Sequence, residues 1–524
     1  QTLLVIAGDF LSPSVASSVF KGEQMIAALN AVGVDMATLG NHEFDFGPEG
    51  PAVVAGSAAA DPRGALKARA TEADFPFLAA NLIDEATNAP VSWPNVKPSH
   101  RFDVAGIAVG VIGATSRNTP ESTLAAHLQG LRVAELAETI QAEAEVLRAA
   151  GAQLIIVTAH AGGSCDRFDD PSDVGSCLAD SEIFTVARAL PQGLVDLIVG
   201  GHMHRGMAHE VNGISIISSW SGGEFFGRVD FEVSDGKLTG HRIFPPQRIC
   251  RFIDESSGEC RAAADSGADL DGDSQDNAHN NAYVVVEAVY EGEVVRPDTA
   301  IARVIAPAIA AAEELKSEKL GPYLETAFRR RPSPESPIGN MLTDILLASY
   351  PRADVAIHNT LGGIRADLPA GDLTYGSVYE MFPFDNRIVH LTLSGAELKA
   401  VLANQIEGPV RRGHISGISV DADCDAGELA ITVRKNSGKV VLDHEQLLIV
   451  TNDFLVSGGD EVLTPAMPVQ GFPVEFEGPL VRDVIVDWMK NRGGRLNEGQ
   501  FIDESRPRWN LPRPAPVSCE LTSQ

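Results

Sequence analysis

The segment Asn41–Asp45, "NHEFD", packs an amide, an imidazole and two carboxylates into five residues directly after the apolar run Val34–Leu39. Packing at the end of a buried strand has no use for so many polar groups. Metal-assisted hydrolysis uses all of them, as ligands to an ion and as a proton donor with a partner to orient it. Comparable polar clusters close other apolar runs: Gly8–Asp9 after Leu3–Ala7, His160 after Leu154–Thr158, and "GGHMH", with His202 and His204, after Leu197–Val199. The i, i+2 spacing puts the last two imidazoles on one side of an extended backbone, and the flanking glycines let that backbone approach an ion closely. Asp, Asn and His together suit divalent ions such as Zn²⁺, Mn²⁺ or Co²⁺. The absence of Cys from the set speaks against a purely structural zinc site.

Such residues act together only if a scaffold gathers strand ends. From Gln1 to about Val233, apolar runs alternate with helical patterns. Strands are expected at Leu3–Ala7, Val34–Leu39, Phe77–Asn81, Ile107–Ile112, Leu154–Thr158, Leu197–Val199 and Ile214–Ser218, with amphipathic helices at Glu23–Val32 and Val133–Ala150. Alternation of this kind implies a layered α/β domain whose ligands gather at the carboxyl ends of strands. The alanine-rich stretch Thr299–Gly321 reads as a helix linking this first domain, 1–298, to a second α/β unit over 322–524. Strands of the second unit are expected at Val355–His358, Arg387–Leu393, Ile418–Val420 and Leu447–Thr451. Within the first domain, the acidic stretch Cys250–Asn281 is expected to be a surface loop. Asp269, Asp271, Asp273 and Asp276 give it an alternative reading as a calcium loop, although Gly is misplaced for an EF-hand and no Glu closes the pattern.

The 524 residues carry 41 basic and 71 acidic side chains, a net charge of −30. That balance argues against a nucleic-acid polymer as partner, because its phosphates need a basic surface. It leaves open a small phosphate ester held through an ion's own charge. No apolar run reaches the roughly 18 residues of a transmembrane helix. The chain opens at Gln1 within an apolar run and is expected to be the mature or ordered part of a longer precursor. Six cysteines stand as Cys165/Cys177, Cys250/Cys260 and Cys424/Cys519, none with CxxC spacing. An even count in polar loops favours disulfides, and so an exported protein: periplasmic, secreted or cell-surface.

In their order, Gly-Asp, Gly-Asn-His-Glu, His and Gly-His-x-His resemble the pattern of the calcineurin-like metallophosphoesterases. Nearly the whole chain resembles the bacterial 5′-nucleotidase/UDP-sugar hydrolase family, through "SPESPIGNMLTD" at Ser333–Asp344, "GGIRADLPAG" at Gly362–Gly371, "MFPFDN" at Met381–Asn386 and "NDFLVSGGD" at Asn452–Asp460. The resemblance implies an α-β-β-α metallophosphoesterase sandwich joined by a helix to a nucleotide-binding domain. It implies two divalent ions bridged by Asp9, with Asn41, His160 and His202 completing one site and His204 belonging to the other. His42 would be the catalytic histidine and Asp45 its orienting partner. Phe384 and Phe454 would sandwich a nucleobase, Asn359 would contact it, Asp460 would accept from ribose hydroxyls, and Arg365 would clamp phosphate.

The activity so implied is hydrolysis of nucleoside 5′-phosphates by a metal-activated water, with a small-molecule nucleotide as substrate and domain rotation bringing it to the metals. UDP-sugar hydrolysis, 2′,3′-cyclic nucleotide phosphodiesterase activity and a non-catalytic nucleotide-binding role are the alternatives. The Phe384/Phe454 pair argues against thiosulfohydrolysis. The chain departs from the family pattern in three places. Its D-x-H motif is absent, which leaves Asp9 and His204 for the second ion unless an upstream strand supplies the rest. "HNTLGGIR" is one residue longer than the usual loop between Asn359 and Arg365. Pro334 occupies the place of a phosphate-binding Arg, for which Arg329, Arg330 or Arg331 would substitute.

Overall fold

A computed structural model describes the chain except residues 51–59, 235–236, 262–283, 331–334, 360–361, 409–412, 426–427, 474–477, 513–516 and 520–524. Four short strands, β1 (Val5–Ile6), β2 (Met36–Thr38), β3 (Phe77–Leu78) and β4 (Val96–Lys97), form one parallel sheet in sequence order. A second sheet holds β5 (Ser99–Val104), β6 (Ile107–Thr115), β7 (Leu154–His160), β8 (Leu197–Gly200), β9 (Gly206–Val211) and β10 (Ile214–Ser219). Its order is β9-β10-β8-β7-β6-β5, parallel in the centre and antiparallel at both edges.

Every residue of β6 and β7 is buried, which is why they read as continuous apolar runs rather than as alternating ones. Successive side chains still part to opposite faces. Val109, Val111, Leu154 and Ile156 meet Met36 and Leu78 of the other sheet. Ile112, Ala114, Ile155 and Val157 face the helices Leu136–Ala149 and Glu182–Ala189. On the far side of the first sheet, Ala37 and Phe77 pack on Ile26, Leu66 and Ala70 of the helices Glu23–Val32 and Gly64–Glu72. The layers therefore run helix, sheet, sheet, helix. The ends of β1, β2, β7 and β8 lead into Asp9, Asn41–His42, His160 and His202–His204. Among the described residues β1 has one ladder partner, β2. A crevice of about 2370 Å³ opens beside it, lined by Leu3, Val5, Ile156, Val229 and Phe231 and reaching Asp9, His42, His202 and His204.

The second unit centres on a four-stranded sheet of Ile388–Ser394, Gln446–Asn452, Val355–His358 and His414–Ser416, in that spatial order. Val355, Ile357, Leu391 and Ile449 face Leu398 and Val401 of the helix Gly395–Glu407. Ala356 and Val450 face Met341, Leu342 and Ile345 of the helix Pro337–Ser349.

Two expectations change. The helix expected over 299–321 runs Thr299–Lys316, capped by the Asp298 carboxylate, and Lys319–Leu324 is a strand. Gly321, at φ 101, and Pro322, which lacks an amide hydrogen, lie within that strand. This helix packs on Val15–Phe20, Glu23–Val32 and Tyr375–Met381, so both units flank it. Close by, the Tyr379 hydroxyl donates to the Ser14 carbonyl at 2.8 Å. The acidic stretch is also less loop-like than expected. Phe252–Asp254 pairs with Cys260–Arg261 and with Val285–Glu287. Asp269, Asp271, Asp273 and Asp276 lie outside the described residues. The six cysteines form Cys165–Cys177, Cys250–Cys260 and Cys424–Cys519.

Candidate metal-dependent active site

Four strand ends bring Asp9, Asn41, His160 and His202 onto one point. His160 Nδ1 donates to the Ala7 carbonyl at 2.7 Å, an atom that can only accept, so a neutral ring carries its proton there and turns the Nε2 lone pair inward. Around that Nε2 stand Asp9 Oδ2 at 3.0 Å, Asn41 Oδ1 at 3.1 Å and His202 Nδ1 at 3.2 Å. Asn41 is oriented by its own amide, which donates to the Ser122 carbonyl at 3.0 Å. One proton on Nε2 satisfies one of these three acceptors. A divalent cation among them satisfies all four lone pairs, and the donors are the N/O set that Zn²⁺ or Mn²⁺ prefers. Asp9, His160 and His202 offer ligand atoms within 4.8 Å of one another. His204 stands exposed on the rim of the same crevice. No D-x-H pair exists in the chain to join it.

The backbone bends sharply to make this convergence. Asp9, His202 and His204 have φ of 57, 70 and 52, a region that non-glycine residues enter at a cost of order 1–3 kcal/mol each. Each of three ligands follows a glycine whose side chain would collide with a neighbouring ligand or, at Gly201, with the backbone. A Cβ on Gly8 would lie 2.3 Å from His160 Nδ1, one on Gly40 2.3 Å from Asp9 Oδ1, and one on Gly201 2.5 Å from the Ala7 carbonyl.

Charge follows from the packing. Burial works to raise the Asp9 pKa, but His160 and His42 outweigh it and hold the carboxylate well below its usual range. Burial, reinforced by His160, lowers His202 to about 4, the neutral form a metal ligand needs. His42 sits at the start of a short helical turn, its N–H donating to Asp9 Oδ1 at 3.0 Å. Its Nδ1 is 2.8 Å from Asp45 Oδ2, and that oxygen also accepts from the Ser12 hydroxyl at 2.7 Å. Burial opposes charge on His42, yet Asp45 and then Asp9 raise its pKa to about 9.

The second unit reaches this site with two of its candidate residues. Phe384 stacks on His42, ring centres 6.3 Å apart and planes within 12°. The Arg365 guanidinium carbon lies 5.4 Å from the Phe384 ring centre, and its charge acts on both His42 and His204. The other candidates make contacts within the second unit. Asn359 Nδ2 donates to Asp460 Oδ2 at 2.7 Å. Phe454 lies against Gly459, whose added Cβ would meet its ring at 2.5 Å, and Phe384 finds Phe382, not Phe454, as its aromatic neighbour in the same unit. Arg330 lines the crevice, Arg329 approaches Asp367 at 3.5 Å, and Arg331 is outside the described residues.

Sequence reasoning passed over Glu43. It is 1% exposed, and its carboxylate accepts the N–H groups of Asp9, Phe10, Leu11 and Gly40 at 2.9, 2.8, 3.1 and 2.6 Å. Burial, with Asp9 adding to it, pushes Glu43 up to about 7. The available signal was its place between His42 and Asp45 in a segment bound to be buried, where a carboxylate needs several donors.

The profile of the 5′-nucleotidase C-terminal domain matches residues 309–467. A cell wall protein of Listeria monocytogenes is 26% identical, over 88% of this chain and 57% of its own length. This chain thus spans little more than half of that relative. A 5′-nucleotidase of Vibrio cholerae is 24% identical, over 88% of this chain and 77% of its own. The crystal structure of a 5′-nucleotidase precursor from Thermus thermophilus shares the fold, with a TM-score of 0.67 at 21% identity, covering 97% of this chain and 90% of that one. Residues 309–467 thus match the 5′-nucleotidase C-terminal domain, and the chain as a whole is similar to 5′-nucleotidases in sequence and shares their two-unit fold.

Proposed function

We propose that the chain hydrolyses nucleoside 5′-phosphates to nucleoside and inorganic phosphate. The observation that carries this reading is the convergence of Asp9, Asn41 and His202 on His160 Nε2, beside a His42–Asp45 pair. Asp9, Asn41, His160 and His202 would hold one divalent ion, and Asp9 with His204 would contribute to a second. Bound there, such ions supply positive charge to the phosphoryl oxygens and acidify a water. The chain's own groups do the rest. Asp45 fixes the His42 tautomer, so that Nε2 is the nitrogen free to give a proton to the leaving 5′-oxygen or to stabilise its charge. Arg365 offers a planar fork to phosphate. Phe384 offers a face to the base, and Phe454, Asn359 and Asp460 hold the nucleoside end.

In this reading residues 1–298 carry the chemistry and residues 322–524 hold the nucleoside. The protein is exported, a reading supported by three disulfides and by a relative named as a cell wall protein. No helix among the described residues is long and apolar enough to cross a membrane. The test is His42→Ala, assayed for phosphate release from nucleoside monophosphates alongside metal content. Turnover should fall on the order of 10²- to 10⁴-fold with metal content unchanged. Undiminished turnover would remove His42 from the mechanism.

A further inference from the structure

Phe384 stands in the stretch between the helix Tyr375–Met381 and the strand Ile388–Ser394, outside both, yet its ring lies within 12° of the His42 plane. A ring so placed needs an anchor, and Arg482 supplies one. Arg482 is the second residue of the helix Val481–Arg492 and is 4% exposed. Its Nη1 donates to the Phe384 carbonyl at 3.1 Å and its Nη2 to the Asp385 carboxylate, so one planar fork grips two consecutive residues. The same guanidinium lies 4.7 Å from the ring centre of Tyr379. Tyr379 is buried, and its hydroxyl donates to the Ser14 carbonyl at 2.8 Å and stands 2.6 Å from Ser18 Oγ, both in the first unit. Arg482 thus touches the residue that stacks on His42 and the residue that docks the second unit on the first. A buried ion pair adds little net stability over an apolar pair of the same volume, because desolvation offsets the attraction. What the Arg482–Asp385 pair does supply is direction, since the fork fits one arrangement of the backbone at 384–385.

We propose that Arg482 is a positioning residue: it fixes the Phe384 ring against His42, and so fixes the face that receives the nucleobase. It acts through Phe384 and not on the reacting atoms. The role toward the base rests on the proposed nucleotide hydrolysis; the placement of the ring does not.

The test follows the ring by nuclear magnetic resonance, on the whole chain carrying an isotope label at the histidine Cε1 positions. Among the 13 histidines, the His42 signal is identified by its loss in His42→Ala. Phe384→Ala removes the ring current and gives the position of an uncovered His42 signal. Arg482→Met/Asp385→Asn removes both charges of the pair, so no buried charge is stranded, and a thermal melt establishes that it folds. Arg482→Lys keeps the charge but not the fork. In both Arg482 variants the His42 signal should move toward its Phe384→Ala position, further in the double variant. KM for nucleoside monophosphates should rise on the order of tenfold in the double variant, with kcat and the KM of a small aryl phosphate much less affected. In a Phe384→Ala background the same two substitutions should add nothing to KM, because the ring they would displace is gone. A His42 signal that keeps its wild-type position in the double variant, or a rise in nucleotide KM that persists undiminished without Phe384, would overturn the proposal. A signal that moves while nucleotide KM stays unchanged would establish the placement of the ring and remove Phe384 from base binding.

Discussion

Replacing Glu43 with Ala should damage both the fold and the ion site, by an amount that its hydrogen bonds set. One carboxylate oxygen accepts from Gly40 and Asp9, at 2.6 and 2.9 Å; the other accepts from Phe10 and Leu11, at 2.8 and 3.1 Å. Truncation strands four buried donors. Each unpaired donor costs about 1–3 kcal/mol, so four independent losses would total about 4–12 kcal/mol. Water entering the vacated volume and relaxation of residues 9–11 put the expected value near the bottom of that range, about 4 kcal/mol. Glu43→Gln is the sharper test. It keeps one accepting oxygen, hence two of the four bonds, and turns an amide donor toward the other two. Its cost should be about half as large. In Glu43→Ala, Asp9 loses the clamp that maintains its φ of 57, so affinity for Mn²⁺ or Zn²⁺ should fall together with stability. Urea midpoints and calorimetric ion titrations give the two numbers. A Glu43→Ala protein with wild-type midpoint and wild-type ion affinity would refute the clamp.

Removing divalent ions with a chelator should abolish phosphate release and lower the thermal midpoint, with both restored by added metal. At an ion concentration 100 times Kd the stabilisation is about 2.7 kcal/mol; activity that survives exhaustive chelation would contradict the ion-dependent reading. Phe384→Ala should raise KM for nucleotides about tenfold, in line with about 1–3 kcal/mol for a stacked base, and leave turnover of a small aryl phosphate much less affected; an equal loss on both substrates would deny it a base-binding role. Acid should destabilise the second unit through His358 and His414, cross-strand neighbours that burial lowers to about 4 and about 3. Folded, both stay neutral, whereas unfolded they take a proton below about 6.5, so stability present at pH 7.5 is lost as pH falls. By pH 5 each costs about 2 kcal/mol, while Asp453, which burial raises to about 6, gains a proton in the fold and returns about 1 kcal/mol. His414→Gln should flatten the wild-type stability–pH curve between those limits by about 2 kcal/mol, and parallel curves would count against it.

The metal-ligand candidates were legible because each ends an apolar run. A polar residue at the mouth of a buried strand is a local feature, readable without knowledge of the fold. Strands β6 and β7 were equally plain, being buried along their whole length and therefore unbroken in sequence. The end of the long helix was misplaced because Leu315 and Leu320 keep apolar residues coming, while the chain turns at Ser317 and Glu318 into the strand Lys319–Leu324, with no proline or glycine at the turn to mark it. Glu43 was hidden for a different reason. Its partners are backbone amides of residues 9–11, and no side-chain pattern records where a backbone N–H will point. The stacking of Phe384 on His42 was likewise out of reach, since it joins two units through a packing arrangement rather than through a motif.

The glycines and Glu43 explain each other. Two tight turns with ligands at positive φ, at Asp9 and at His202–His204, are unfavourable one by one, and a strained backbone persists only where its surroundings over-determine it. Gly8, Gly40 and Gly201 leave room for the turns to close on His160 and Asp9, but room alone does not hold them. Glu43 holds the turn at Asp9, because a single buried carboxylate draws the amides of two separate strand ends, Asp9–Leu11 and Gly40, onto itself. A carboxylate so placed repels Asp9, and Glu43 is accordingly raised to about 7 while Asp9 is held low by its histidines. A cation among Asp9, Asn41, His160 and His202 would screen that repulsion. The fold thus carries at this corner a repulsion that a bound ion would offset.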